Sequence, residues 1–456
     1  MSRLLSLCAV CCILCSVSAG QWLETTINLR DSLGGVSRPQ CLTYNSVNNT
    51  VYAAGERGNC IVAIGGATNQ KVARIPADSW GSDLCYNPQN NTVYCANQSG
   101  RSVTVIDGAS NQVITTVPAD EYPVALCYNP VDNKVYCANG YSSSVTVIDG
   151  ASNEVIATVP TGGGPYVLCY NSREDKVYCA NFASSNVTVI DGTGDSVVAT
   201  VAAGASPHAL CYNAHDHKIY CANRASSDVT VIDGAGDSVV ATVTTGSLPW
   251  GLCHNSQYNR VYCANTGSNN VTVIDGAGDS VIATVTAGLC PRALFYNTEN
   301  DKLYCANEFG SSVTIIDGAG NQVLRTISVG NGPIDFCHNP VQNRVYVANH
   351  VDSSISVLRD SGAVGVEECS MLSALRSTPE PTVVRGVLHL LPSPNPLPAG
   401  QGVRERSALL DISGRAVMEL QAGANDVRHV APGVYFVFAR VANGEGRVAN
   451  KVIITR

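Results

Sequence analysis

From about residue 40 to residue 360, apolar residues come in short runs broken by Asn, Asp, Gly and Pro. Residues 124–159 show the pattern: VALCY, KVYCA, SVTVI and EVIATV, with NPVDN between the first two runs and DGASN between the last two. Runs of this length, rich in Val, Ile, Tyr and Thr, predict strands, and turns of this composition predict tight reversals. The runs are almost continuously apolar, which predicts sheets covered on both faces.

The pattern returns with a fixed period. Asp107, Asp149, Asp191, Asp233, Asp275 and Asp317 are 42 residues apart, and so are Asn45, Asn87, Asn129, Asn171, Asn213, Asn255, Asn297 and Asn339. Eight copies of a four-strand unit at this period are the signature of β-propeller blades. LETTINL at 23–29 reads as a fourth strand, while the eighth copy stops after its third, SISVL. The N-terminal strand is therefore expected to complete the last blade. The expectation is an all-β, eight-bladed propeller over residues 20–360, with seven blades as the alternative.

The repeated VYCAN, followed by VTVIDG and then VVATV, resembles the YVTN family of β-propellers. That resemblance implies the fold over residues 20–360 and says little about activity, because propellers host many unrelated functions.

The ends of the chain differ in texture. Residues 1–19, MSRLLSLCAVCCILCSVSA, combine one Arg, an apolar run and a Val-Ser-Ala ending, which reads as a secretory signal cleaved after Ala19. No later segment has the roughly 20 apolar residues of a membrane-spanning helix. After a linker at 361–380, residues 381–456 resemble the small β-sandwich sorting domain of type IX secretion substrates. The resemblance rests on the Pro-Asn-Pro at 394–396, DISGR at 411–415, GVYFV at 433–437 and a basic residue, Lys451, opening the final strand. It implies export to the cell surface, the outer membrane or the medium, and recognition of the tail by secretion machinery.

Composition narrows the partners. The chain has a formal net charge of −8 and only 14% charged residues, and it lacks the basic stripe of a nucleic-acid binder. Sixteen cysteines remain beyond the signal, in a compartment where disulfides persist. Five pairs repeat one spacing on the first two strands of a unit: Cys85/Cys95, Cys127/Cys137, Cys169/Cys179, Cys211/Cys221 and Cys253/Cys263. They are candidate within-blade disulfides. Cys305 and Cys337 also suggest a pairing between one unit's second strand and the next unit's first. Phe295 and Val347 stand in equivalent slots, so buried free thiols are the equal alternative.

Chemistry-bearing motifs are sparse. The DGTGD and DGAGD turns (Asp191/Asp195, Asp233/Asp237, Asp275/Asp279) lack the ligand number of a calcium loop and read as turn formers. His254 and His338 stand where other copies have Tyr, while His215 and His217 flank Asp216 in a turn. No cofactor motif is present.

The most informative positions are those that vary between copies. After the Pro before the first strand stand Gln40, Ser82, Val124, Tyr166, His208, Trp250, Arg292 and Ile334. After the Asn of YCAN stand Glu56, Gln98, Gly140, Phe182, Arg224, Thr266, Glu308 and His350. In a propeller both loop sets emerge on one face around the central channel. A constant framework with Tyr166, Phe182, His208, Arg224, Trp250, Arg292, Glu308 and His350 in its variable rings predicts a binding face. The expected function is a non-catalytic scaffold for a surface protein, a glycan or an envelope component. One alternative is a lactonase-like hydrolase that uses Asp83 and Asp335, in equivalent slots, with Ca2+ or another divalent ion. The other is a surface-layer protein that acts through its blade edges.

Overall fold

The computed structural model describes residues 20–30 and 35–360, together with the backbone of strands between 382 and 454. Eight antiparallel four-stranded sheets form the first unit. Seven are continuous in sequence and are called blades 1 to 7: residues 37–76, 81–118, 123–160, 165–202, 207–244, 249–286 and 291–328. Blade 8 consists of Pro333–Asn339, Arg344–Asn349 and Ser354–Asp360, with Gln21–Asn28 paired antiparallel to the last of these. The N-terminal strand thus completes the last blade, and the ring has eight blades.

First strands of successive blades are neighbours, and that of blade 8 lies beside that of blade 1. Burial peaks in the second and third strands; the first strands, which line the channel, are partly open. The second strands are nearly all inaccessible, as in Lys134–Asn139, whereas fourth strands such as Val155–Pro160 are mostly exposed. Apolar clusters form between blades, where one face of a sheet meets the opposite face of the next. This explains the continuous apolar runs, since both faces are core.

Two polar ties repeat around the ring. The Tyr of VYCAN is fully buried in every blade. The Tyr178 hydroxyl donates to Asp237 Oδ1 at 2.6 Å, and that of Tyr346 to Asn69 Oδ1 at 2.7 Å, across the seam where chain ends meet. The Asn closing each first strand is also fully buried. Asn129 accepts from the amides of Val131 and Asp132 within its own turn, and its Nδ2 donates to Asp175 of the next blade at 2.8 Å. A buried amide that lost these partners would be costly, so Asn holds both the turn and the blade interface.

Residues 367–456 are a separate unit. Among the described residues its strands form a five-stranded and a two-stranded sheet. GVYFV lies in the strand Gly433–Arg440, and Lys451 falls within Gly446–Ile454 rather than at its start. The predicted signal, the linker, residues 394–396 and residues 411–415 lie outside the described residues.

Candidate functional site

The two variable rings meet in every blade from 2 to 8 through the same backbone bond. The amide after the YCAN Asn donates to the carbonyl two residues before the variable position of the first strand. Examples are Phe182 to Gly164 at 2.8 Å, Arg224 to Ser206 at 3.0 Å and Thr266 to Leu248 at 3.0 Å. The two loop sets therefore form one rim around the channel mouth.

Four rings follow one another along this rim from blade 4 to blade 6. Tyr166 lies 6.0 Å from Phe182 and 4.6 Å from His208, centroid to centroid, and His208 lies 4.0 Å from Trp250. Two guanidiniums, Arg224 and Arg292, each sit 4.8 Å from the Trp250 ring centroid. Arg292 is further held by Glu308 at 2.9 Å. Seven of the eight residues expected on the binding face thus form one connected group. The eighth, His350, stands across the seam, with Nε2 3.0 Å from Glu56, which also takes Arg38 at 3.1 Å.

Three cavities share this rim. The central one, about 400 Å³, is lined by Trp80, Asp83, Gln98, Tyr122, Tyr166, His208 and Arg292 among others. A second, about 480 Å³, runs out over Tyr122, Tyr141 and Phe182. A third, about 600 Å³, lies over Arg224, Trp250, Cys290 and Phe309. Tyr122 and Tyr166 belong to both the first and second, and Arg292 to both the first and third, so the three make one cleft across the mouth.

Electrostatics divide the cleft. Burial, reinforced by Arg224 and Arg292, pushes the His208 pKa down to about 4 despite its 3.1 Å contact with the Trp250 carbonyl. The imidazole is neutral at pH 7 and serves as a ring rather than a cation. Arg224 has no carboxylate partner among the described residues, and its Nε is buried without a hydrogen bond. Gln98 is 7% exposed and its Oε1 also lacks a partner. Both residues line the cleft.

Sequence reasoning missed Trp80 and Tyr122. They occupy the position two residues before the variable one, where the backbone is left-handed in every blade. Gly164 and Gly332 accept this readily, yet Trp80 and Tyr122 hold φ at 65°. A bulky residue there is strained, and such strain concentrates at functional sites. Both rings line the cleft. Turn positions look interchangeable in a sequence, so only the recurrence of a large aromatic at this one slot would have flagged them.

Asp83 and Asp335 are placed differently from the hydrolase reading. Asp83 accepts from its own Leu84 amide at 2.8 Å and from Leu126 of blade 3 at 2.7 Å. Asp335 accepts from Leu42 of blade 1 at 2.8 Å. Each carboxylate ties its blade to the next. Desolvation raises their pKa values to about 6 and about 7, respectively, against the backbone bonds that favour the charged form. Among the described residues, no three His, Cys, Asp or Glu side chains are grouped to hold a metal ion.

The cysteines follow the register, not the spacing. Cys85 stands opposite Tyr94 and Cys95 opposite Leu84, and the same one-residue offset separates Cys127/Cys137, Cys169/Cys179, Cys211/Cys221 and Cys253/Cys263. Adjacent register positions point to opposite faces of a sheet, so these pairs cannot bridge within a blade. First-strand thiols face the next blade, and second-strand thiols face the previous one. Cys85 thereby shares a cluster with Cys137, and Cys127 with Cys179, which is the reverse of the pairing suggested by Cys305 and Cys337. All cysteines among the described residues are free thiols, and burial pushes most of them well up.

The DGTGD turns are fully engaged. Asp191 Oδ2 accepts from Gly194 at 2.7 Å, while Asp195 takes the Tyr136 hydroxyl at 2.8 Å and Lys134 at 2.9 Å.

Comparison with known proteins agrees with this architecture. The model of the YNCE-like beta-propeller family matches residues 122–369, more than half of the chain. No curated protein matches it. Among solved structures, Kuenenia stuttgartiensis hydrazine synthase superposes with a TM-score of 0.53 at 18% identity, covering 72% of this chain and 97% of its own. Saccharomyces cerevisiae Sqt1 superposes with a TM-score of 0.65 at 11% identity, covering 75% and 99%. At such identities the likeness is one of fold. With an unbroken repeat, a ring closed by its N-terminal strand and that family match, the chain belongs to the YNCE-like β-propeller family.

Proposed function

We propose that this protein is an exported binding scaffold that engages its partner non-catalytically through the channel mouth, with the C-terminal unit serving as a sorting address. The observation that carries the reading is the cleft. Aromatic rings and two arginines gather on one rim, with a buried acceptor and a buried donor left unpartnered. Partners are surface proteins, glycans or envelope components. Export rests on the sequence of residues 1–19 and on the tail motifs.

The test is a panel of immobilised glycans and envelope proteins probed with the full chain and with a Trp250→Ala/Arg292→Gln variant. Binding by the first and its loss in the second supports the reading. Equal binding by both removes the mouth from the account, and turnover of a bound ligand would replace the scaffold with an enzyme. N-terminal sequencing of the protein collected outside the producing cells should begin at Gly20; retention inside the cells would end the export reading.

One observation favours a second reading, the self-associating surface layer. Fourth strands are rim edges, and they expose paired aliphatics such as Ile156 at 49%, Val198 at 51% and Val240 at 52%. Open apolar edges invite pairing with other copies. Light scattering across a concentration series distinguishes the two, since a scaffold stays monomeric and a layer former does not.

A further inference from the structure

We infer that the mouth cleft takes an acidic glycan, an oligosaccharide carrying uronic-acid carboxylates; this rests on the binding reading above and specifies its ligand. Three observations converge on it.

The first is the lone cation. Arg292 is neutralised by Glu308, but Arg224 stands against the same indole with no carboxylate of its own among the described residues. A guanidinium over a ring without a carboxylate of its own can still pair with a ligand carboxylate through its N–H groups. The second is the distribution of the rings. They are spread over a long, open cleft with exposed outer members, Tyr141 at 71% and Phe309 at 74%. Such a series of platforms matches a chain of pyranose rings, each offering an apolar C–H face to an aromatic one. The third is the orphan acceptor. Gln98 Oε1 requires an incoming N–H or O–H. Sugar hydroxyls supply it, and a phosphodiester backbone does not.

The acidic groups set the direction. Asp83 lines the central cavity and Glu56 sits on the rim of blade 1, so a carboxylate is disfavoured on that side. The anionic ring belongs against Arg224, beside Trp250 on blades 5 and 6, with hydroxyls reaching toward Gln98 and Asp83. The chain's net charge of −8 opposes long polyanions in general, so recognition depends on this one cationic pocket and on stacking.

The experiment is calorimetric titration of the full chain with three probes: a galactose hexasaccharide ending in one galacturonic acid ring (the uronate), the neutral galactose hexasaccharide and oligodeoxythymidylate. We expect binding of the uronate and at least roughly tenfold weaker binding of the neutral sugar. Arg224→Gln should erase that preference, and Trp250→Ala should weaken uronate binding by roughly tenfold or more, the loss typical of a central anchor. Circular dichroism melts of both variants separate lost contacts from lost fold. If the neutral sugar binds as well as the acidic one, the acidic assignment fails while the mouth reading stands. If only the oligonucleotide binds, and Trp250→Ala abolishes that binding, the glycan falls and the mouth remains. Uronate binding untouched by both variants overturns both readings, and no binding of the uronate overturns the glycan proposal.

Discussion

Two buried aspartates show how a residue at the channel serves the scaffold. Asp83 and Asp335 give their oxygens to amides of the neighbouring blade, while desolvation raises their pKa values to about 6 and about 7. A carboxyl whose pKa rises on folding contributes stability that is complete below its ordinary value and is lost as pH climbs through the raised one. The propeller should therefore lose stability between about pH 4 and 7 through these two groups. Asp335→Asn keeps an acceptor for Leu42 and removes the charge, so it should melt higher than the parent at pH 8 and equally at pH 4. Because Asp335 is only partly buried by its accessible surface, the gain is discounted to about 1–3 kcal/mol. A variant less stable at pH 8 would show that the charged bond to Leu42 outweighs burial. In the sequence these residues stood out as a departure from the Cys, Ala, Val and Gly of equivalent slots. Their partners were illegible, since a backbone amide in the next blade leaves no mark on composition.

At the scale of the element, the turns and strands were read nearly as they are, because period, run length and turn residues are local properties of the chain. What a spacing could not supply was register. Ten residues separate Cys85 from Cys95, and a four-residue turn between the strands sets Cys95 opposite Leu84 instead. That single offset moves each thiol to the other face, into a different blade interface. The buried tyrosines give the matching test of those interfaces. Tyr178 donates to Asp237 of the next blade, so Tyr178→Phe leaves a buried carboxylate oxygen short of a donor. It should cost about 1–3 kcal/mol, measured as a lower midpoint in urea with unchanged slope. A smaller cost would mean that Lys176, which also reaches Asp237 at 2.7 Å, compensates.

Across the whole molecule, one strand decides closure. Gln21–Asn28 pairs with Ser354–Asp360, and Arg344 anchors it through its Nε bond to Glu24 at 2.8 Å. Deleting residues 20–30 should expose that edge and turn the chain into an aggregating or sharply less stable species, read by light scattering and thermal melting. Unchanged melting would mean that the ring is held by the inter-blade ties alone. The ring itself was legible because a repeat must bury its faces against copies of itself. The rim was legible only in part. Variation between copies pointed to Tyr166, Trp250 and Arg292, but their convergence on one cleft, and the addition of Trp80 and Tyr122, come from the curvature of the closed ring. The measurement that bears most directly on the account is a structure of the full chain with a bound galacturonate oligosaccharide. The expected result is a uronate carboxylate at Arg224, beside Trp250, with sugar rings stacked on the exposed outer rings Phe309 or Tyr141. A ligand seated on the opposite face or along the outer blade edges would contradict it.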